Sequence, residues 1–402
     1  MARKIAFWAV ALGTIGVVGV PLLAQRPATG PVARYDIRAG TTSGVGAMGS
    51  GMGAAMGMMF GRGGNSVQHE LLLRLGSARA PDRGAAKADH FLPAGVKLGK
   101  SVPLLTPAAE PDRPDRLPGM REGERPRGRI LIFWGCGEHA PRTQPVVIDL
   151  SKLGAGQVPP GMWSTTIIRD LGPTVANSRT FGHWPEGDNK RAKPDSSLLG
   201  AHRVAGNYSP EIAFTLTKDF MAPLRTTRAN QASGAVLLSW GGIPDATGYL
   251  AGLFGGKRGP DGQMGDMVMW TSSASRQFGG GLSDWLTPAQ VAGLVRDRTV
   301  MAPATTSCAI PAEVQAAAPE FRFGTLTAFG PEEDFAYPPR PADARAAWNL
   351  EWTARIRHRS TTSWMSMPGM PEAAEGQPGA KPNCPQRGGL GGLLGGLGRP
   401  GC

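Results

Sequence analysis

The strongest constraint on the fold is a segment, 348–357, in which apolar and polar residues alternate. The apolar positions are Trp348, Leu350, Trp352, Ala354 and Ile356, and the polar positions are Asn349, Glu351, Thr353, Arg355 and Arg357. A period of two is that of a β-strand with one buried and one solvated face. A register shift of one residue would bury both arginines and the glutamate, so the pattern predicts a strand whose pairing is strongly specified.

Shorter apolar or alternating runs recur along the chain and also favour strands. They lie at 67–75, 129–134, 145–148, 164–168, 212–216, 236–240 and 267–271. One helix is predicted at about 287–296, because Thr287 suits an N-cap and Pro288 suits the first helical position. We therefore expect a mainly β protein: one or two antiparallel β-sandwich-like domains, one short helix, and disordered Gly/Pro-rich segments.

Glycine and proline are unusually abundant and indicate long segments outside any core. The chain of 402 residues contains 58 glycines and 36 prolines, and 18% of its residues are charged. These values exclude a wholly disordered polyampholyte, a coiled coil and a polytopic membrane protein. The spacer 106–128 combines charges with prolines, and the tail 367–402 is rich in Gly, Pro and Leu, so both are expected to be disordered.

The first 24 residues predict export. Arg3 and Lys4 precede an uncharged apolar run, 5–24, that ends in the small residue Ala24. This order is typical of a secretory signal peptide cleaved after Ala24. The run is also long enough to remain as a single membrane anchor. In both cases the rest of the chain would lie in the periplasm, in the outer envelope or outside the cell.

The next segment, 25–65, is predicted to be of low complexity. Within 39–61, Gly49, Gly53, Gly57 and Gly61 recur every four residues, and methionines keep the same spacing. A flexible linker is the favoured interpretation, because each glycine weakens a helix in water. The alternatives are a membrane- or self-associating segment similar to a glycine zipper, or a Cu(I) site made of thioethers.

Four cysteines are compatible with export: Cys136, Cys308, Cys384 and Cys402. An even number in an oxidising compartment predicts disulfides, and four cysteines allow three pairings. We prefer Cys136 with Cys308 and Cys384 with Cys402. The alternative for Cys136 is a thiolate nucleophile with His139 as its base.

The segment 238–250 reads Leu-Ser-Trp-Gly-Gly-Ile-Pro-Asp-Ala-Thr-Gly-Tyr-Leu. Over about 15 residues it resembles part of a fibronectin type III domain, where such a strand and turn place the tryptophan and the tyrosine in the sandwich core. Gly252, Gly255 and Gly256 depart from that pattern. The resemblance implies an immunoglobulin-like sandwich at 230–366, after a first β domain at 66–225.

The formal net charge of +12 suggests an anionic partner. The charges are scattered and match no nucleic-acid-binding motif, so nucleic acid is not expected. Envelope polysaccharide or anionic lipid remains, with membrane contact through 5–24 or 39–61 as a further option. The candidate binding residues are His183 and Trp184 in a long loop, and Arg355, Arg357 and Arg359 on the solvated face of the strand at 348–357.

The chain contains no compact motif for a metal or a cofactor, and none is predicted. The leading functional hypothesis is therefore a non-catalytic, exported envelope protein. One alternative is an exported polysaccharide hydrolase that uses carboxyl groups such as Asp170, Glu186 or Asp188, since glycoside cleavage needs a carboxyl pair. A second alternative is a component of a membrane assembly held through 39–61.

Overall fold

The computed structural model describes residues 30–48, 66–107, 128–152, 168–170, 172–187, 192–259, 264–277, 279–343 and 346–368. Within these ranges the chain is mainly β, which confirms the predicted fold class. The strands are β1 (Ala33–Gly44), β2 (Val67–Ser77), β3 (Ala88–Phe91), β4 (Ser101–Pro103), β5 (Arg129–Trp134), β6 (Val146–Asp149), β7 (Thr180–Trp184), β8 (Gly200–Gly206), β9 (Ile212–Leu216), β10 (Thr226–Asn230), β11 (Val236–Trp240), β12 (Gly248–Arg258), β13 (Met264–Thr271), β14 (Ser307–Ile310), β15 (Phe321–Tyr337) and β16 (Trp352–Ser366).

Two α-helices lie in the described ranges, α1 (Pro288–Arg296) and α2 (Ala312–Ala317). Short 3-10 turns lie at Val45–Met48, Ala94–Val96, Leu150–Lys152 and Val175–Asn177. Helix α1 begins as predicted, because Thr287 and Gln290 form a reciprocal capping box around its first turn. None of the helices described here has the length and apolarity needed to cross a bilayer.

A nine-stranded mixed sheet forms the centre of the fold, in the order β6-β5-β13-β12-β15-β16-β1-β2-β7. The pairs β1/β16 and β5/β13 are parallel, and the remaining pairs are antiparallel. The strands from 230–366 occupy the middle of this sheet, and strands from earlier in the chain flank them on both sides. Both predicted domains therefore contribute to one sheet.

Two smaller sheets cover one face of the central sheet. The four-stranded sheet β4-β3-β8-β9 shares a core with β1, β2 and β16, in which Tyr35, Ile37 and Phe214 are buried. The three-stranded sheet β10-β11-β14 shares a second core with β12, β13 and β15, in which Trp240 and Trp270 are buried. We call this the inner face of the central sheet, and the opposite one the outer face.

Strand β1 corrects the prediction that 25–65 is a low-complexity segment throughout. Residues Ala33–Gly44 form a largely buried strand between β2 and β16. Glycine fits at position 40 because a Cβ there would lie only 3.0 Å from the side chains of Glu70 and Trp285. Residues 49–65, with the four spaced glycines, lie outside the described residues, as do the apolar run 5–24, most of the spacer 106–128, most of the strand predicted at 164–168, and 369–402.

The strand predicted at 348–357 begins later than its alternation indicated. Trp352, Ala354 and Ile356 are buried on the inner face, as predicted. Trp348 is instead half-buried in the preceding loop, where its Nε1 donates a hydrogen bond to the Pro338 carbonyl at 2.9 Å. The first half of the pattern is therefore not part of the strand, because the partner strand β15 ends at Tyr337, opposite Trp352, and Pro338 and Pro339 follow it.

Candidate functional site: a cleft beside a disulfide

Cys136 and Cys308 form a disulfide with an S–S distance of 2.09 Å. Cys136 follows β5, and Cys308 lies in β14, so the bond joins the central sheet to the three-stranded sheet. This is the pairing preferred from the sequence. A cysteine held in a disulfide supplies no thiolate, which removes the basis for a Cys136–His139 nucleophile in this state. Cys384 and Cys402 lie outside the described residues.

A cleft of about 520 Å³ opens beside this disulfide. The loop 134–144 after β5, residues after β13, and the segment 295–305 after α1 form its walls. Trp134, His139, Ser272 and Arg298 are among the residues that line it. Clefts of roughly 300–1,000 Å³ with a few converging polar groups are typical small-ligand sites.

Hydrogen bonds hold the wall formed by loop 134–144 in place. The Gln144 side chain accepts from the Trp134 N–H at 2.8 Å and donates to the Trp134 carbonyl at 3.0 Å, which closes the loop on itself. Glu313 of α2 accepts from the Ala140 N–H at 2.8 Å and lies 3.2 Å from His139 Nδ1. Slight burial alone would raise the pKa of Glu313. The contacts with Ala140 and His139 outweigh it, lower the pKa, and keep the carboxylate ionised.

Arg298 contributes an available positive charge to the cleft. Its φ of 55° places it in the left-handed region, which is uncommon for a residue with a side chain. Its backbone is fixed by hydrogen bonds with Val295 at 3.0 Å and Ala274 at 2.9 Å. Among the described residues no carboxylate forms an ion pair with its exposed guanidinium. A fixed backbone and an unneutralised cation suit the binding of an anion.

The arginines predicted to form a basic solvated stripe are instead neutralised on the outer face. Arg357 is only 2% exposed and lies 2.6 Å from Asp36. Arg359 lies 3.3 Å from Glu70 and packs over the Trp285 ring at 4.0 Å. The stripe prediction is therefore wrong for the buried Arg357, because the loop containing Trp285 covers this part of the sheet.

Arg355 completes this part of the outer face. Its Nε lies 3.0 Å from Asp334 and 3.5 Å from Glu332 on β15. Burial, followed by the neighbouring Asp334, raises the pKa of Glu332 to about 7. Each of the three candidate arginines thus faces at least one carboxylate, so none of them offers an unpaired cation to a ligand among the described residues.

Asp170, proposed from the sequence as a catalytic carboxyl group, belongs to the same cluster. It pairs with Arg38 and with Arg74, the latter at 3.0 Å, and lies 3.6 Å from Arg357. Partial burial alone would raise its pKa, but the Gly172 N–H and the Arg38 guanidinium lower the pKa of Asp170 to about 2. Such a group carries no proton to donate at neutral pH, so it is unsuited to general acid catalysis.

The remaining candidates do not converge on this cluster. Trp184 is buried at 4% exposure in β7, opposite Leu73, which corrects its prediction as an exposed binding ring. His183 is half-buried beside Phe181. Glu186 is exposed, and Asp188 lies outside the described residues.

Two features escaped the sequence analysis. One is the pair of carboxylates that neutralise the outer-face arginines, Asp36 and Glu70. In the sequence they are visible only as charged residues at alternate positions of predicted strands. The other is a buried polar chain in the first core: Tyr35 Oη lies 2.7 Å from His90 Nδ1, and His90 Nε2 lies 3.0 Å from His202 Nδ1. Over the described ranges no three or more His, Cys, Asp or Glu residues are arranged to hold a metal ion.

Comparison with known proteins gives this chain no family. No protein-family model matches it, and a search of curated proteins finds no significant match.

Proposed function

We propose that this chain is an exported cell-envelope protein that binds an acidic polysaccharide, without transforming it, in the cleft beside the Cys136–Cys308 disulfide. The observation that carries the proposal is Arg298, a cation without a carboxylate partner in the described chain, in a walled cleft of about 520 Å³. Uronic acid residues of envelope polysaccharides would supply the matching carboxylate.

The cleft replaces the sheet face as the proposed binding surface. The outer-face arginines already pair with Asp36, Glu70 and Asp334, so a further anion would have to displace these partners. Arg298 has no such competitor in the described structure. Trp134, half-buried at the cleft, adds an aromatic side chain of the type that contacts sugar rings.

The position of the cleft also fits the immunoglobulin-like sandwich predicted at 230–366, to which β10 (Thr226–Asn230) adds one strand. The sheet β10-β11-β14 packs against β13-β12-β15-β16, and Trp240 and Tyr249 lie between them with ring centroids 5.4 Å apart. Loops at the ends of such sandwiches commonly carry binding sites. The cleft is built from loops that follow β5 and β13, at one end of this sandwich.

Export is supported by the apolar N-terminal run and by the disulfide, since disulfides persist in oxidising compartments. The hydrolase alternative has less support, because no aspartate or glutamate is among the described residues that line the cleft. The membrane-assembly alternative also has less support, because it depended on 39–61 and residues 39–44 of that segment belong to the largely buried strand β1.

Titration calorimetry with matched acidic and neutral oligosaccharides tests the proposal. We expect the acidic oligosaccharide to bind and Arg298→Gln to weaken it by about tenfold, roughly 1.4 kcal/mol. Arg296→Gln is the matched control, because Arg296 is also exposed, lies two positions away, and does not line the cleft. Equal binding of acidic and neutral sugars, or equal effects of the two variants, would contradict it. Recovery of the protein only from the cytosol would contradict export.

A further inference from the structure

The two sulfurs of the disulfide lie in different environments. Cys136 is an exposed residue and lines the cleft. Cys308 is 3% exposed and belongs to the second core, together with Leu238 and Ile310. A thiolate arriving from solvent therefore meets the Cys136 sulfur first. In thiol–disulfide exchange the accessible sulfur is the one attacked.

The approach to Cys136 is open. Its neighbours Gly135 and Gly137 have no side chains, and a Cβ placed on Gly135 would meet no atom within 4 Å. Met301 Sδ lies 3.8 Å from Cys136 Sγ on the wall of the cleft. Arg298 lines the same cleft, and its positive charge favours an anionic nucleophile there.

We propose that Cys136 is a site of thiol–disulfide exchange with dithiol reductants that reach the cleft. One thiolate of the dithiol attacks Cys136 Sγ and forms an intermolecular S–S bond, while the Cys136–Cys308 bond breaks. Cys308 leaves with the bonding electron pair and takes a proton from solvent. The second thiolate of the dithiol then attacks the dithiol sulfur that is bonded to Cys136, and Cys136 leaves as a thiolate and takes a proton from solvent. Overall two electrons pass from the dithiol, which becomes a disulfide, to this protein, which gains two thiols.

Other contacts would keep the loop close to β14 after reduction. The Gly137 N–H donates to the Ala309 carbonyl at 2.9 Å, and the Ala312 N–H donates to the Glu138 carbonyl at 3.0 Å. Reduction would remove the covalent link between this wall of the cleft and β14, while these hydrogen bonds preserve the fold. The exchange site itself does not depend on which ligand the cleft binds.

The test uses the native full chain and glutathione, a monothiol that has no second thiol to resolve the mixed disulfide within the same molecule, so short incubations can trap that intermediate. After timed incubation, the exchange is stopped with acid, the protein is unfolded in denaturant so that buried thiols also react, free thiols are alkylated with N-ethylmaleimide, and the modified peptides are identified by mass spectrometry. We expect glutathione on Cys136 and maleimide on Cys308. Glutathione on Cys308, or exchange only at denaturant concentrations that unfold the protein, would overturn the proposal. Peptides that contain Cys384 and Cys402 are separated in the same map.

Charge and single-cysteine variants test the geometry further. Arg298→Glu should slow the reaction with anionic glutathione several-fold more than the reaction with cysteamine, which carries a positive amine, while Arg296→Glu should change neither rate. Equal slowing with both thiols would refute the role of the cleft charge. In Cys308→Ala, Cys136 should react with maleimide in the native protein, whereas in Cys136→Ala, Cys308 should react at least tenfold more slowly. Comparable rates would also overturn the proposal. None of these readouts requires the polysaccharide.

Discussion

Asp36 of β1 and Arg357 of β16 are 321 positions apart in the chain, yet they form an ion pair of 2.6 Å in which both side chains are about 3% exposed. The pair links the first and the last described strands, which run parallel as neighbours within the nine-stranded sheet. Asp36 also lies 3.0 Å from Arg38, so its carboxylate serves two guanidinium groups. Without Asp36, the buried guanidinium groups of Arg38 and Arg357 would have to share Asp170 as their carboxylate, which leaves them poorly compensated.

We therefore expect Asp36→Asn to destabilise the protein by about 3–5 kcal/mol, as measured by urea denaturation. Arg203 and Glu211 form the control pair, because their side chains are 42% and 59% exposed and lie 3.0 Å apart. Glu211→Gln should cost at most about 1 kcal/mol. Similar losses for Asp36→Asn and Glu211→Gln would show that the buried pair contributes no more than a surface pair.

The disulfide should make a large contribution to stability. Cys136 and Cys308 are separated by 172 positions, and a bond that closes a long loop restricts the unfolded chain strongly. The double variant Cys136→Ala/Cys308→Ala should lose about 2–5 kcal/mol in urea denaturation. Near-ultraviolet circular dichroism should retain the native signal at zero denaturant. Loss of the near-ultraviolet signal at zero denaturant would show that the hydrogen bonds of loop 134–144 do not maintain the native packing without the disulfide.

The sequence predicted the elements that local chemistry determines. Thr287 and Pro288 specify the start of α1, because capping depends only on neighbouring residues. Alternation correctly placed Trp352, Ala354 and Ile356 inside. The same rule failed for Arg357, because alternation states which side of the strand a residue faces, and not whether another segment covers that side.

Features that depend on distant pairing could not be predicted. Nothing near β1 indicates that β16, more than 300 residues later, will pair with it in parallel. The cleft combines a loop after β5 with the segment after α1, and only the position of Cys136 hinted at it. Arg298 carries no local signal, since its role depends on which carboxylates the fold places near it.

The chain of Tyr35, His90 and His202 predicts loss of stability in mild acid. His202 Nε2 must donate to the Leu198 carbonyl, at 2.7 Å, because a carbonyl only accepts. His202 Nδ1 then accepts from His90 Nε2, and His90 Nδ1 accepts from the Tyr35 hydroxyl. Every group is satisfied with both histidines neutral.

Burial lowers the pKa of both His90 and His202. The pKa of His90 falls well below the usual histidine value, because the nearby His202 adds to the effect of burial. The unfolded chain binds protons below about pH 6.5 while the folded chain does not, so stability falls as pH decreases from there, by up to about 1.4 kcal/mol per pH unit for each histidine. In His90→Leu/His202→Leu the slope of unfolding free energy against pH should be shallower. His139→Gln, at an exposed histidine, is the control. An unchanged slope in the double variant would contradict the neutral chain.

Glu332 predicts a pH dependence of the opposite sign. Burial, with a further effect from Asp334, raises the pKa of this carboxyl group from 4.5 to about 7. The folded chain then binds the proton more tightly than the unfolded chain, so this contribution is fully present below about pH 4.5 and is lost as pH rises to about 7. Arg355 at 3.5 Å opposes the shift, as does Arg357, which lies opposite Glu332 in the strand register.

Glutamine imitates the protonated carboxyl group. Glu332→Gln should therefore match wild type near pH 5 and exceed its stability at pH 8 by on the order of 1–2 kcal/mol, since the full shift is reduced by solvent and by the arginines. Urea denaturation at the two pH values measures the difference. Glu351→Gln, at an exposed position outside the strands, is the control, and its difference in unfolding free energy from wild type should be the same at pH 5 and at pH 8. If Glu332→Gln is less stable than wild type at pH 8, the carboxylate is bound favourably by Arg355, and the folded state does not hold the proton.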